Sequence, residues 1–141
     1  MAKVSTYLNF QGTTEEAFNF YAEIFQTKTL LQVVRFKDMP DGPEVSVDDR
    51  SKILHIELPI LGGHILMGTD MLESLGQKVE IGNNTTINLE LDSVEEADAF
   101  YAKLSAKGSS STGMSHVAWG YWGCTLDRYG IRWMFNVMSQ N

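Results

Sequence analysis

The chain contains an internal repeat whose two copies start 80 residues apart, which restricts it to folds made of two similar modules. Residues 15–22 read EEAFNFYA and residues 95–102 read EEADAFYA, so six of eight positions are identical. Each copy follows a hydroxyl-bearing residue that can cap a helix, Thr13 or Thr14 in the first and Ser93 in the second. Apolar residues then recur at spacings of three and four. The repeat predicts two related amphipathic helices, near Thr14 to Phe25 and Val94 to Lys107.

Strand-like segments surround each predicted helix in the same order. One segment precedes the first helix (4–10) and three follow it (29–36, 52–60 and 64–69). One precedes the second helix (85–91) and three follow it (112–117, 121–126 and 131–137). Each half therefore reads βαβββ. We predict the α+β class, a single domain over 1–141 made of module 1–71 and module 84–141 joined by 72–83, with the helices on the outer faces of mixed sheets.

Charge and composition exclude several kinds of partner. The net charge is -7, and the 11 Lys and Arg residues form no basic stripe, so nucleic acid is not an expected partner. No stretch approaches 18 apolar residues, so no membrane span is expected. The chain has one cysteine, Cys124, and a polar start without the apolar run of a signal peptide. The cytoplasm is the expected location.

Several segments along the chain resemble one known family in order and spacing. They are YLNF at 7–10, the helix segment at 15–21, HIEL at 55–58, GHILM at 63–67, WG at 119–120 and DRYGIRWM at 127–134. In these the chain is similar to the PhnB-like branch of the vicinal oxygen chelate superfamily, which also includes glyoxalase I, bleomycin resistance proteins and extradiol dioxygenases. The resemblance implies cup-shaped mixed sheets, a homodimer and a small organic ligand held in a sheet-lined cavity.

The resemblance also implies where a metal would sit in metal-dependent relatives. Those four ligand positions fall here on Thr6, Met67, Thr86 and Met134. Two hydroxyls and two thioethers lack the imidazole and carboxylate donors that hold Zn, Ni or Fe. We therefore predict no metal and no other cofactor, and we place these four residues in the ligand-binding set. A displaced site formed by His55, Glu57 and His64 stays open as an alternative.

Polar residues on the strands of the second half extend the predicted ligand-binding set. By the period of two, Asn88 and Glu90 share a face with Thr86, and Arg132 shares a face with Met134. The alternative for Glu90 and Arg132 is an ion pair at the cavity rim. Two tryptophans beside glycines, Trp119 and Trp122, complete the set, because one of them can wall a pocket.

The strongest candidates for acid and base chemistry are His55 and Glu57. They alternate with Leu54, Ile56 and Leu58, so both should lie on the face of the strand away from the aliphatic packing. A His and Glu pair there can polarise or deprotonate a bound molecule. A structural or surface role for the imidazole is the alternative.

Two functions fit these residues. The first is binding of a small organic ligand in a metal-free cavity, as in bleomycin resistance relatives, and the second is a metal-independent or glyoxalase-like lyase or isomerase that acts on a small carbonyl compound through His55 and Glu57. Methyl transfer to a quinone precursor is not expected, because no glycine-rich nucleotide loop follows a strand.

Overall fold

A computed structural model describes residues 1–27, 31–42 and 44–139, and describes the backbone alone at Leu31. The chain divides into two compact units, Met1–Glu80 and a second unit that begins at Ile81. The boundary lies inside the segment 72–83 that we predicted as the joint between modules. Among the described residues, no helix is long and apolar enough to cross a membrane.

The first unit follows the predicted βαβββ order. Its elements are β1 (Thr6–Phe10), α1 (Thr14–Ile24), β2 (Leu31–Arg35), β3 (Ile53–Pro59) and β4 (Ile65–Asp70). The strands form a mixed sheet in the order β1-β4-β3-β2, in which β1 and β4 are parallel and the other pairs are antiparallel. The predicted strand 29–36 is found from Leu31 onward, and its first two residues lie outside the described part of the chain.

The second unit repeats this arrangement. Its elements are β5 (Ile87–Glu90), α2 (Val94–Ser105), β6 (Ser115–Val117), β7 (Gly120–Leu126) and β8 (Arg132–Met138). The sheet order is β5-β8-β7-β6, again with one parallel pair, β5 and β8. The α+β class and the two predicted βαβββ units are confirmed.

Each helix packs on one face of its own sheet and leaves the other face uncovered by a helix of that unit. In the first unit, a Cβ added at Gly68 would lie 2.6 Å from the ring of Phe18 on α1, so only glycine fits at this crossing. In the second, Trp133, Phe135 and Leu104 are fully buried, and the Tyr101 and Phe135 rings meet edge to face. These contacts fix which residues of each strand face away from the helix.

The two helices begin in different ways. The Ser93 hydroxyl accepts a hydrogen bond from the Glu96 N–H, which confirms Ser93 as the N-cap of α2. Thr13 makes no such bond in α1. Instead, the buried carboxyl of Asp70, at the end of β4, accepts hydrogen bonds from the N–H and the hydroxyl of Thr14 at 3.0 and 2.7 Å. The start of α1 is therefore held by the sheet.

The segment before β3 is held by Asp49, and we expect this contact to make stability depend on pH. The Asp49 carboxylate accepts bonds from the Lys52 ammonium and from the Ser74 and Ser46 hydroxyls. These contacts lower the pKa of Asp49 from 3.8 to about 2. The hydrogen bond from the Lys52 ammonium contributes most, and the two hydroxyls add to it. A depressed pKa adds stability that is complete above pH 3.8 and is lost as the pH falls toward 2. Asp49→Asn should therefore flatten the loss of stability with pH in this window.

Urea denaturation at a series of pH values between about 5 and 2 measures this effect. Asp48→Asn is the matched control, since Asp48 is the exposed neighbour of Asp49. An Asp49→Asn variant that loses stability between these pH values as steeply as the parent protein would contradict the assignment.

Candidate functional site

A chain of three polar side chains lies on the first open face, which we define as the face of the first sheet turned away from α1. The Tyr7 hydroxyl lies 3.0 Å from Nδ1 of His55, and Nε2 of His55 lies 2.9 Å from Oε2 of Glu57. The carboxylate accepts the Nε2 proton, which leaves Nδ1 as the acceptor for the Tyr7 O–H. The imidazole is thus fixed in one tautomer between a carboxylate and a phenol.

The strand register places these side chains together. Tyr7 on β1 is opposite Met67 on β4, and Met67 is opposite Glu57 on β3, so the three form one row across the sheet. Their neighbours along the strands, Ile56 and Leu58, are opposite Gly68 and Leu66 and are fully buried on the helix side. Alternation therefore sends His55 and Glu57 away from the aliphatic packing, as the sequence predicted.

The three side chains of Tyr7, His55 and Glu57 are accessible to solvent from the first open face. Tyr7 is 48% exposed, while the side chains of His55 and Glu57 are 28% and 17% exposed. Partial burial raises the pKa of the Tyr7 hydroxyl, a hydrogen bond with the Thr69 hydroxyl lowers it in part, and the charge of Glu57 raises it further. Tyr7 therefore stays protonated at neutral pH and keeps its O–H as a donor.

Tyr7 was not among the residues that we predicted for the site, because placing Thr6 on the cavity side assigns the adjacent Tyr7 to the opposite face of the strand. Its neighbours Leu8 and Phe10 supply the signal that could have found it. Both are buried under α1, so a period of two sends Tyr7 to the open face. Thr69, two residues beyond Met67 on β4, could have been placed there by the same reasoning.

The repeat of 80 residues holds in the helices but not in the strands before them. Tyr7 is opposite Met67 in the first sheet, and Asn88 is opposite Met134 in the second. Because Met67 and Met134 occupy the same place in their sheets, Asn88 is the equivalent of Tyr7, and it lies 81 residues later. The 80-residue register between Thr6 and Thr86 is therefore wrong by one position. Thr6 is opposite the buried Leu66 and lies on the helix side, whereas Ser5 is the equivalent of Thr86 and its hydroxyl lies 3.7 Å from the Met67 sulfur.

The donor set on the open faces does not fit the metal of the metal-dependent relatives. Correcting the register replaces Thr6 with Ser5, which is another hydroxyl, and the two methionine sulfurs remain. His64 does not join His55 and Glu57, because its Nε2 lies 2.8 Å from the Thr6 hydroxyl on the helix side. Within the described residues, no group of three His, Cys, Asp or Glu side chains could hold a metal ion. Metal-free function stays a prediction.

The other residues of the predicted set lie on the second open face, the face of the second sheet turned away from α2. Asn88 is opposite Met134, and Met134 is opposite Cys124. Glu90 and Trp122 both flank Asn136. Arg132 lies at the start of β8 opposite Leu126, and continuing the register places Thr86 on its other side. Strand alternation therefore brings Thr86, Asn88, Glu90, Trp122, Arg132 and Met134 to one face.

The polar contacts on this face differ from the expected ion pair. Glu90 is opposite Asn136, which lies four residues along β8 from Arg132. No salt bridge joins Glu90 and Arg132 in the part of the chain that the structure describes. Asn136 donates instead to the Asn88 side-chain oxygen at 2.6 Å. Trp119 precedes β7 and is 52% exposed at the end of the sheet.

Two units of this topology form the fold of solved glyoxalase, bleomycin resistance protein and dioxygenase domains. A solved domain of that description from Frankia sp. EAN1pec superimposes with a TM-score of 0.62 at 14% identity, over 99% of this chain and 97% of its own. At that identity the likeness shows the fold alone.

The family is shown by a sequence model described as 3-demethylubiquinone-9 3-methyltransferase, which matches residues 2–136. The chain belongs to that family, the PhnB-like family that the motifs indicated. Neither turn from strand to helix is rich in glycine: residues 11–13 contain one, Gly12, and residues 91–93 contain none. The prediction against methyl transfer, which rested on the lack of a glycine-rich loop, stays a prediction.

Individual relatives match along nearly their whole length. The protein YjdN of Escherichia coli is 25% identical over 97% of this chain and 96% of its own. Protein PA1353 from Pseudomonas aeruginosa superimposes with a TM-score of 0.83 at 28% identity, over 99% of this chain and 100% of its own. A putative 3-demethylubiquinone-9 3-methyltransferase, PhnB protein, from Bacillus cereus gives a TM-score of 0.77 at 22% identity, over 96% and 99%.

Proposed function

We propose that this protein binds a small organic molecule on the first open face, through Tyr7 and His55 and without a metal ion. The observation that supports this most strongly is the hydrogen-bonded chain from Tyr7 through His55 to Glu57. Its outer member is half exposed, so a ligand with a carbonyl or hydroxyl group can reach it from solvent. The location expected for such binding is the cytoplasm.

The arrangement combines fixed polar groups with an apolar floor, as small-molecule sites commonly do. Glu57 holds the imidazole of His55 in place, and Tyr7 offers one hydroxyl that can both donate and accept. Met67 lies between Tyr7 and Glu57 in the same row, with Ile65 and Thr69 next to it along β4. A ligand placed over Met67 would contact a thioether below it and polar groups at its side.

Binding can be tested by a thermal-shift screen across small carbonyl compounds and aromatic antibiotics, followed by calorimetric titration of the best compound. Its concentration at about 100 times the dissociation constant adds about 2.7 kcal/mol of stability. His55→Ala and Tyr7→Phe should each weaken binding about tenfold or more, since each removes a polar partner of the ligand. His116→Ala is the matched control, because His116 is an exposed histidine on β6.

Unchanged affinity in both His55→Ala and Tyr7→Phe would contradict this assignment. Glu57→Gln separates binding from positioning, because an amide can still contact Nε2 but no longer carries the charge that holds the tautomer. We expect a smaller loss for this variant than for His55→Ala.

The same chain of residues favours one second function, proton abstraction next to a carbonyl group. In this reaction a substrate C–H would replace the Tyr7 O–H at Nδ1 of His55, and the proton would move from carbon to that nitrogen. Glu57 would stabilise the imidazolium, and Tyr7 would donate to the enolate oxygen. Deuterium exchange into a bound ketone, followed by NMR and lost in His55→Ala, distinguishes this reaction from binding alone.

We propose that the protein acts as a homodimer. The end of the second sheet exposes two large apolar side chains, Trp119 at 52% and Met138 at 58%. Exposed apolar side chains of this size are suited to contact with a second copy. Light scattering at micromolar concentration should give about twice the mass of the 15.8 kDa chain. A mass of one chain would contradict the proposal.

A further inference from the structure

We propose that the second open face binds the oxyanion of a small organic acid through Arg132. The Nε of Arg132 is buried and has no hydrogen-bond partner among the described residues. A buried guanidinium N–H without an acceptor is rare in folded proteins and requires an explanation, of which a bound group is one. This inference concerns the second sheet alone and does not depend on the Tyr7, His55 and Glu57 site.

The carboxylates nearest to Arg132 in the sequence and sheet are not available to it. Asp127, in the hairpin before β8, accepts bonds from the N–H groups of Tyr129 and Ile131 and from the indole of Trp133. Glu90 is opposite Asn136, four residues along β8 from Arg132, or about 13 Å at the usual rise of a strand. No salt bridge to Arg132 is found among the residues that the structure describes.

The groups around Arg132 suit an anion better than a cation. Thr86, which lies opposite Arg132 when the register is continued, and Asn88, one pair further along, are uncharged and can donate hydrogen bonds. The Nε–H and one Nη–H of an arginine point in parallel and match two oxygens of a carboxylate, phosphate or phosphonate. The ligands that we infer therefore share an oxyanion with at least two oxygens.

The other residues of the second open face indicate which kind of molecule would carry the oxyanion. Met134 and Cys124 lie one pair along from Arg132 and form an apolar step. Trp122 and Asn136 form the next pair, about 13 Å from Arg132 along the strand. An acid with its charge at Arg132 would lay an apolar or aromatic body over Met134 and Cys124, on the side of Trp122. The geometry thus points to an aromatic or apolar organic acid.

The proposal can be tested by calorimetric titration with 3-phenylpropanoate and phenylphosphonate, and with the neutral 3-phenylpropanamide for comparison. We expect at least one acid to bind at least tenfold more tightly than the amide, and Arg132→Gln to remove that preference. Arg50→Gln is the matched control, because it removes the same charge from an exposed arginine of the other unit. Binding of both acids to Arg132→Gln as to the parent protein, or failure of the parent protein to prefer either acid, would overturn it.

A second measurement uses no ligand. If Arg132 serves a ligand and not the fold, Arg132→Met should leave the melting temperature unchanged or raise it, because an unpaired buried N–H is replaced by an apolar chain of similar length. A melting temperature lowered by more than a few degrees would show that Arg132 supports the fold, and would contradict the proposal.

Discussion

Replacing Asp70 with alanine should destabilise the first unit more than any surface substitution. The Asp70 carboxyl is 3% exposed and accepts three hydrogen bonds, two from Thr14 and one from the Ile53 N–H at 2.8 Å. Alanine leaves buried donors on both elements without an acceptor, which costs roughly 3 to 5 kcal/mol. For a chain of this size that loss lowers the melting temperature by about 10 to 17 °C.

Calorimetry of three variants checks this expectation. Asp70→Asn should lose less stability than Asp70→Ala, because it keeps one acceptor oxygen. It should still be less stable than the parent protein, because its amide nitrogen cannot accept a bond. Asp41→Ala, in an exposed loop, should stay within about 0.5 kcal/mol of the parent protein. An Asp70→Ala variant as stable as Asp41→Ala would show that α1 does not depend on Asp70.

Replacing Gly120 with alanine should be nearly as damaging in the second unit. A Cβ at this position would lie 2.0 Å from the carbonyl oxygen of Val137 and 2.9 Å from the backbone nitrogen of Ser139. Both atoms belong to the backbone of the neighbouring chain segment, so β7 and β8 must separate to admit the methyl group. The φ of +150° adds further strain for any side chain. We expect a loss of more than about 3 kcal/mol.

Gly62→Ala is the control that separates conformational strain from crowding. Gly62 has a φ of +63°, yet a Cβ there would meet no atom within 4 Å. Its cost should be only that of a left-handed conformation, about 1 to 2 kcal/mol. Chemical denaturation of both variants gives the comparison. Equal losses at the two positions would contradict the close approach of Val137 to Gly120.

Much of the fold could be predicted because local pattern and tertiary packing agree in this chain. The repeated helices carry their apolar stripe in the sequence, and the strands around them alternate or form short apolar runs. The start of α1 could not be predicted in this way. Asp70 is 56 residues from Thr14, and a cap supplied from another strand leaves no local mark in the sequence.

Only part of the site could be predicted, because local alternation is visible in the sequence and the pairing of distant strands is not. The period of two placed His55 and Glu57 on the open side correctly, because it needs only neighbouring residues. The pairing of Thr6 with Thr86 was wrong, because three residues separate Phe10 from the start of α1 at Thr14, while two separate its register equivalent, Leu91, from the start of α2 at Val94. A shift of one residue sends a side chain to the other face of a sheet. The same shift concealed Tyr7, which alternation alone would have found.

The most direct measurement of the central claim is ¹⁵N NMR of the histidine rings during titration with the tightest compound from the thermal-shift screen. In the free protein, we expect His55 to carry its proton on Nε2, because Glu57 accepts there. On titration, the His55 nitrogen signals should shift with saturation while those of His116 stay fixed. His55 signals that do not move while the compound binds would contradict a ligand site at Tyr7, His55 and Glu57.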